Sequence, residues 1–438
     1  MNAPANTARS RQEPPPGGRN PGPVQDGVRT AQLRWEETPV RDRLAFIRRL
    51  RHLIAENAES LAAEAASVRD RPLAEKLVSE VLPLADACQW LERNAPKVLA
   101  PRFHGRKGRP LWLHGMDFEV QRRPFGTVLV IGPGNYPLFL PAVHTLHALV
   151  AGNAVRLKPA PGTRHVALAV ARLAFAAGLP FPLLEILGDT GAESREAVAY
   201  GADKVIFTGS SENGRSVLAR LADTNTPSVM ELSGMDTVIV LEDADLELAV
   251  RALRFGLRLN AGGTCIAPRR ILAVGSMAGE LAGRLAGADG APVPPVQTVR
   301  DADAAAALVN AADFALGAAI FSGDPASAHR LASRLRTGFV TINDLIVPTA
   351  DPRMPFGGVK ASGFGITRGA EGLLEMTFPH VVAVRRGGMH PHFDEPSVDD
   401  AAFFSAWLRA AHGRNRLRAL PGLFRAILTK IKTTKSKS

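Results

Sequence analysis

TVLVIGPGNYPLFLPAVHTLHALVAGNAVRLK, residues 127–158, opens on an apolar run of strand type. A Gly/Pro turn, a helical stretch at 138–151 and a second apolar run at 154–158 follow. A strand, a crossover helix and a second strand in about 30 residues predict a parallel pair, because parallel strands need a connection of this length. Working outward, LLEIL (183–187) and KVIF (204–207) supply two further strands, each followed by a helical pattern. TVIVLED (237–243) opens another alternation that runs to about 376, and FPHVVAVRR (378–386) reads as a closing strand. Upstream, 28–100 carries apolar residues at helix spacing, and PLWLHGMDFEVQRRPFG (110–126) reads as a hairpin around a Gly turn. The expected class is α/β, with a doubly wound, mostly parallel sheet.

Composition narrows the function. An apolar content of 46% and a charged content of 22% are those of an ordinary globular protein. Two cysteines in 438 residues exclude a disulfide scaffold and fit a reducing, cytoplasmic setting. The first 23 residues hold no apolar core of a secretory signal and read as a disordered leader rich in Pro, Gly and Arg. The net charge of +11 is local: nine Lys and Arg residues, from Arg409 to Lys437, lie beyond the last acidic residue and leave +2 for the rest. A basic tail, not a basic body, argues against nucleic acid.

Four places carry candidate chemistry. Cys265 stands in LRLNAGGTCIAPRR (257–270) among small residues, which leave free backbone N–H groups and room for a ligand, the setting of a nucleophilic thiolate. Cys88, in PLADACQWL, reads as core. Glu231, in MELSGMD, is either a capping group or a partly buried acid suited to general-base work. Asn135, in PGNYPL, is either a turn residue or an amide donor to a developing oxyanion. Thr208-Gly209-Ser210 ends a strand ahead of a helix, where unpaired N–H groups suit phosphates. GPGNYP (132–137) has Pro137 where a third Gly would complete a dinucleotide fingerprint, so none is assigned there.

Taken in order, PGNYPL, AGNAVRLKPA, FTGS, ELSG, GGTCIAPRR and PFGGVKASGFG (355–365) resemble the motifs of the aldehyde dehydrogenase superfamily over residues 30–386. The resemblance implies a Rossmann-like cofactor domain (28–109 and 124–233), a shortened catalytic domain (234–376) and a β oligomerisation arm (110–123 and 377–387). The leader (1–27) and a basic tail (398–438) would flank these. It implies that Cys265 attacks the aldehyde, giving a thiohemiacetal and then a thioester. Asn135 and the Cys265 N–H would hold the oxyanion, and Glu231 would activate the hydrolytic water. Lys158, Gly209, Ser210, Ile131, Gly132 and Pro133 would hold NAD or NADP, and Phe356 and Gly134 would border the aldehyde. A homodimer is implied by the arm.

Three departures from the family pattern stand out. Gly134 replaces the usual Trp before Asn135 and opens the mouth of the site. Pro161 replaces the Glu that accepts from the ribose 2′-OH, which admits NADP, with Arg156 or Arg164 as candidate partners for its phosphate. Only 91 positions separate Cys265 from Phe356, and 287–299 holds neither the Glu nor the Phe of the family's E-x-F-G-P segment. Weaker or rearranged cofactor binding is the expectation. The other readings are acyl-CoA reduction, against which Glu231 counts, and a non-catalytic member that binds a membrane or partner.

The tail reads as two amphipathic helices separated at Pro421-Gly422, with Phe403, Phe404, Trp407 and Leu408 on one and Leu423, Phe424, Ile427, Leu428 and Ile431 on the other. Basic amphipathic helices lie on anionic membrane surfaces. Fatty aldehyde dehydrogenases are similar in carrying a C-terminal membrane attachment, which implies a lipid-derived aldehyde and a peripheral membrane location.

Overall fold

The computed structural model describes residues 23–65, 71–110, 113–286, 292–387 and 398–437, with 390, 393 and 395 in addition. The chain forms two compact units, residues up to 102 with 119–382, and 103–118 with 383 onward.

In the first unit, six strands form one sheet: β1 Thr127–Ile131, β2 Ala154–Lys158, β3 Leu184–Ile186, β4 Lys204–Thr208, β5 Ser228–Glu231 and, entering last, β11 Gly363–Phe364. Their order is β11-β5-β4-β1-β2-β3. All pairs are parallel except β11 on β5, where Gly363 faces Glu231. β1 is the switch point, flanked by β2 and β4, and ligands bind in such sheets beyond the carboxyl ends of the strands at that point. Val128, Leu129 and Val130 of β1 are fully buried, as a central parallel strand requires.

Helix α1 (Phe139–Ala151) crosses from β1 to β2 and is buried at every position. A helix apolar on all sides has no solvent face to offer and belongs in the core. On it pack the helices Pro23–Glu37, Val40–Glu56 and Leu82–Val98, with Trp35, Phe46, Leu50 and Leu91 sharing one core with Leu146 and Leu149. Trp35 Nε1 donates to the Leu149 carbonyl at 2.7 Å. Cys88 is fully buried in this core, and burial pushes its thiol up to about 12, in keeping with a structural role. Helices α2 (Arg164–Ala176), α3 (Gly191–Tyr200) and α4 (Ser211–Leu221) complete the sheet's layers.

The second sheet holds β6 Asp236–Val240, β7 Pro268–Val274, β8 Val296–Val299, β9 Gly317–Phe321 and β10 Phe339–Ile342 in the order β8-β7-β6-β9-β10. All of its pairs are parallel. Helix α5 (Leu246–Arg258) leads from β6 toward Cys265.

Three expectations need correction. A helix begins at Pro23, inside the stretch read as leader; proline's fixed φ suits a helix's first turn. Residues 1–22 lie outside the described residues. The 110–123 stretch is not a self-contained hairpin: its one strand, Met116–Pro124, lies between Arg102–His104 and Thr377–Arg385. In the second unit, one helix, Arg416–Lys437, runs through Pro421. An interior proline gives up one N–H bond and crowds the carbonyl one turn back, and the helix is held against its partner, Val398–His412, by the Lys430–Asp400 ion pair and by Lys430 over the Phe403 ring at 5.1 Å. Phe403, Trp407, Leu423 and Ile427 are thereby half-buried, while Phe404, Leu408, Phe424, Leu428 and Ile431 stay exposed.

Candidate active site

Parallel register aligns the ends of four strands. Ile131 of β1 lies beside Lys158 of β2 and Phe207 of β4, and Thr208 of β4 lies beside Glu231 of β5. Beyond them opens a cavity of about 880 Å³, whose wall includes Ile131, Gly132, Pro133, Gly134, Asn135, Lys158, Gly209, Ser210, Glu231 and Cys265. Ser210 caps α4, its Oγ accepting from the Asn213 N–H at 3.3 Å. Of the turn's other N–H groups, Gly209 donates to the Glu231 carbonyl at 3.0 Å and Ser211 to Ser233 Oγ at 3.4 Å, which leaves those of Ser210 and Glu212 for an anion. A methyl group at Gly209 would lie 2.7 Å from Phe207 Cζ, and one at Gly132 would lie 2.6 Å from Pro141 Cγ. This cradle, shaped by glycine and lined by cations, fits a dinucleotide.

Lys158 is buried at its rim. Its Nζ donates to the Asp189 carbonyl at 3.1 Å, and burial holds its pKa below the usual lysine range. Arg156 and Arg164 are not on this wall. Arg156 is taken up by Glu185 at 2.8 Å and by the Tyr200 ring at 4.0 Å, and Arg164 donates to the Leu187 carbonyl. The cations that do line the cavity are Lys158, Arg195, Arg220 and Arg269; Pro161 is on the wall as well. No described residue of 287–299 lines it; that stretch ends in the edge strand β8.

A second cavity, of about 500 Å³, is lined mainly by apolar groups, among them Val78, Pro83, Phe139, Phe255, Leu259, Ile266, Ile346, Val347 and Phe356. Leu140, Glu231, Thr264 and Cys265 belong to both walls, so the sulfur and the carboxylate stand where the two cavities meet. Gly134, expected at the substrate mouth, lines the larger cavity instead.

The Cys265 turn is built under strain. After α5, Asn260 and Ala261 adopt φ of 53° and 47°, and Gly262 follows at 72°. Left-handed backbone costs non-glycine residues roughly 1 kcal/mol or more each and persists only where surroundings impose it. Here Asn260 N–H donates to Glu75, its Nδ2 donates to the Asn135 carbonyl, and Arg269 donates to the Gly262 carbonyl at 2.8 Å. Asn135 Nδ2 donates in turn to the Gly263 carbonyl at 3.0 Å, and Tyr136 OH meets Thr264 Oγ1 at 2.7 Å. One of the two amide N–H bonds of Asn135 is therefore committed and the other is open. Beneath, buried Glu80 accepts from the Leu138 and Phe139 N–H groups and pairs with Arg71. Two loops 128 residues apart are thus tied together through hydrogen bonds.

Glu231 is buried. Its Oε2 accepts weakly from Thr208 at 3.4 Å and Thr367 at 3.5 Å and lies 3.9 Å from His144 Nε2. Its Oε1 has no partner among the described residues. Burial raises its pKa, against the opposing pull of Arg368. Burial drives His144 and His147 down to about 3, so both are neutral. The Cys265 thiol is only partly covered, yet burial and the neighbouring Glu231 and Asp236 push it upward. The sequence reading expects a nucleophilic thiolate; the surroundings of the sulfur favour its protonated form, beside a carboxylate whose proton affinity burial raises.

Glu75, Glu80, Asn260, Thr367, Asp236 and Arg368 were not legible as site residues. Glu80 gives the clearest signal, a lone acid in the apolar run LVSEVLPL. The others acquire meaning only from contacts distant in sequence.

The aldehyde dehydrogenase family profile matches residues 25–288 and 290–382. A 4,4′-diapolycopene aldehyde oxidase of a Methylomonas species is 31% identical, over 80% of this chain and 79% of its own length. An NADP-dependent succinate-semialdehyde dehydrogenase of Deinococcus radiodurans is 30% identical, over 79% of this chain and 86% of its own. Among solved structures, a Mycobacterium tuberculosis aldehyde dehydrogenase complexed with NAD+ superposes with a TM-score of 0.76 at 24% identity, covering 83% of this chain and 90% of that one.

Proposed function

The chain belongs to the aldehyde dehydrogenase family and is an NAD(P)-dependent enzyme, and from that premise we propose that it oxidises apolar, lipid-like aldehydes to carboxylic acids through Cys265. The observation that carries this reading is the placement of Cys265 and Glu231 on the shared wall of a polar cavity and an apolar one.

Glu231 takes the proton of the Cys265 thiol, a transfer suited to a base whose proton affinity burial has raised. The sulfur attacks the aldehyde carbonyl, and the new oxyanion is received by the open Asn135 N–H and the Cys265 backbone N–H. What NAD(P)+ supplies when bound is a hydride acceptor, which leaves a thioester on Cys265. Lys158, Gly209 and Ser210 would hold the cofactor's ribose and phosphates, and Ile131, Gly132 and Pro133 would back it. Once Glu231 has passed that proton to solvent, it activates the water that releases the acid and returns the thiol; a retained base at this place favours hydrolysis over transfer to CoA.

Support for an apolar substrate comes from the lining of the 500 Å³ cavity, in which Phe356 takes part, and from the apolar aldehyde in the Methylomonas relative's name. The exposed row Phe404, Leu408, Phe424, Leu428 and Ile431, set among basic residues, supports peripheral attachment to an anionic cytoplasmic membrane face. No described helix is long and apolar enough to span a bilayer. Exposed Val381, Val382 and Val384 on the edge strand Thr377–Arg385 support a homodimer.

NAD(P)H absorbance with aldehydes of increasing chain length tests the proposal. Rising kcat/KM with chain length is expected; a preference for short, charged semialdehydes would overturn it. Flotation with anionic liposomes should be lost on Phe424→Glu with Leu428→Glu.

A further inference from the structure

Arg368 is a charged residue in an apolar place. It is 5% exposed, and its guanidinium centre stands 4.4 Å from the centroid of the Phe356 ring and 5.7 Å from that of Phe139. Its Nη1 donates to the Thr349 carbonyl, and its Nε has no partner among the described residues. No carboxylate among the described residues pairs with it directly. It nevertheless lines the same cavity as Cys265 and Glu231, and the residue before it, Thr367, reaches Glu231.

The backbone sharpens the point. Arg368 has a φ of 62°, in the left-handed region where a long side chain is disfavoured, and glycine would meet no such penalty. A buried, unpaired guanidinium on strained backbone costs stability twice. Both costs persist only if the surroundings compensate them, and the compensation at hand is the negative charge of the reacting pair.

We propose that Arg368 is a positioning residue whose guanidinium fixes the charge of the Cys265 sulfur and the Glu231 carboxylate, letting one negative charge reside on that pair. The inference rests on the reading of Cys265 as nucleophile. The charges around the sulfur are consistent with it: Glu231 and Asp236 disfavour the thiolate, and Arg368 favours it. His144 and His147 are neutral, burial pushes Tyr136 up to about 12, and Glu80 is paired with Arg71. Glu75 and the exposed Arg258 also line the cavity. Arg368 is its one buried cation among the described residues.

The test is the pH dependence of Cys265 alkylation by iodoacetamide in the cofactor-free, full-length protein, read by peptide mass. Arg368→Met should move the midpoint up by about one unit and slow labelling at pH 7.5 about tenfold. Arg368→Lys should lie between the two. Should the Met variant not fold, Arg368→Gln, which can keep the bond to Thr349, serves the same comparison. A midpoint unchanged in the neutral variants overturns the inference. Failure of the nucleophile reading itself would show differently, as NAD(P)H production persisting in Cys265→Ala.

Discussion

The two cavities that meet at Cys265 are made by opposite means. The larger is a property of the sheet: its wall follows from strand ends in register and the turns after them, so Ile131–Gly134, Lys158 and Thr208–Ser210 arrive as short consecutive runs. The smaller is a property of tertiary packing. Its wall gathers residues from 74–83, 136–140, 255–266 and 346–356, with Glu231 and Arg368, and no one stretch of sequence announces it. Periodic backbone structure places polar binding sites legibly, whereas an apolar chamber is visible only once the chain has folded.

The contrast can be broken at the shared wall first. Cys265→Ala should reduce turnover by about 10⁴-fold or more while nucleotide binding by calorimetry stays intact, because the sulfur serves the chemistry and not the cradle. Glu231→Gln should cost about 10²–10⁴-fold in steady state, with a burst of NAD(P)H surviving if hydrolysis is the step most affected. A burst absent in that variant would place the carboxylate's main work in activating the thiol.

The next two substitutions separate the cavities. At Gly209→Val, the first added carbon would lie 2.7 Å from Phe207 Cζ; cofactor KM should rise some 10–100-fold with aldehyde KM unchanged. Val347→Asp, on the apolar wall, should do the reverse, lowering kcat/KM about tenfold for long apolar aldehydes and sparing short ones. Equal effects of both substitutions on both ligands would mean that the cavities are not functionally distinct.

What the sequence carried and what it withheld divide along the same line. The alternation from 127 to 231 yields the parallel sheet, and Cys265, Glu231 and Asn135 can be singled out from their small or turn-forming neighbours. Arg156 and Arg164 illustrate the limit: both lie near the ribose-binding strand in sequence, yet Glu185, Tyr200 and the Leu187 carbonyl occupy them, and the cations on the wall are Arg195, Arg220 and Arg269. Proximity along the chain gave no account of which way a long side chain would turn. The sulfur shows the same limit: small neighbours in sequence leave it room, while Glu231 and Asp236, some 30 positions away, disfavour its charge.

The last expected effect concerns stability and not turnover. Burial pushes the Asp236 carboxyl up to about 7, while its Oδ1 accepts from the Gly317 N–H at 3.2 Å. The native state then binds a proton that the unfolded chain has released above its ordinary value near 3.8. Native stability should accordingly fall as pH rises from about 4 through 7 and level off above that. Asp236→Asn should flatten this dependence and gain on the order of 3 kcal/mol at pH 8 in denaturant melts. An unaltered slope would show that another group titrates there.

The junction itself is most directly probed by trapping the covalent intermediate. The native enzyme mixed with a long-chain aldehyde and NAD(P)+, acid-quenched within the first turnovers and digested, should yield the 257–270 region carrying the acyl mass on Cys265. Turnover by the native enzyme with no acyl adduct on that peptide, or with the adduct on another residue, would contradict a reaction centred on this sulfur.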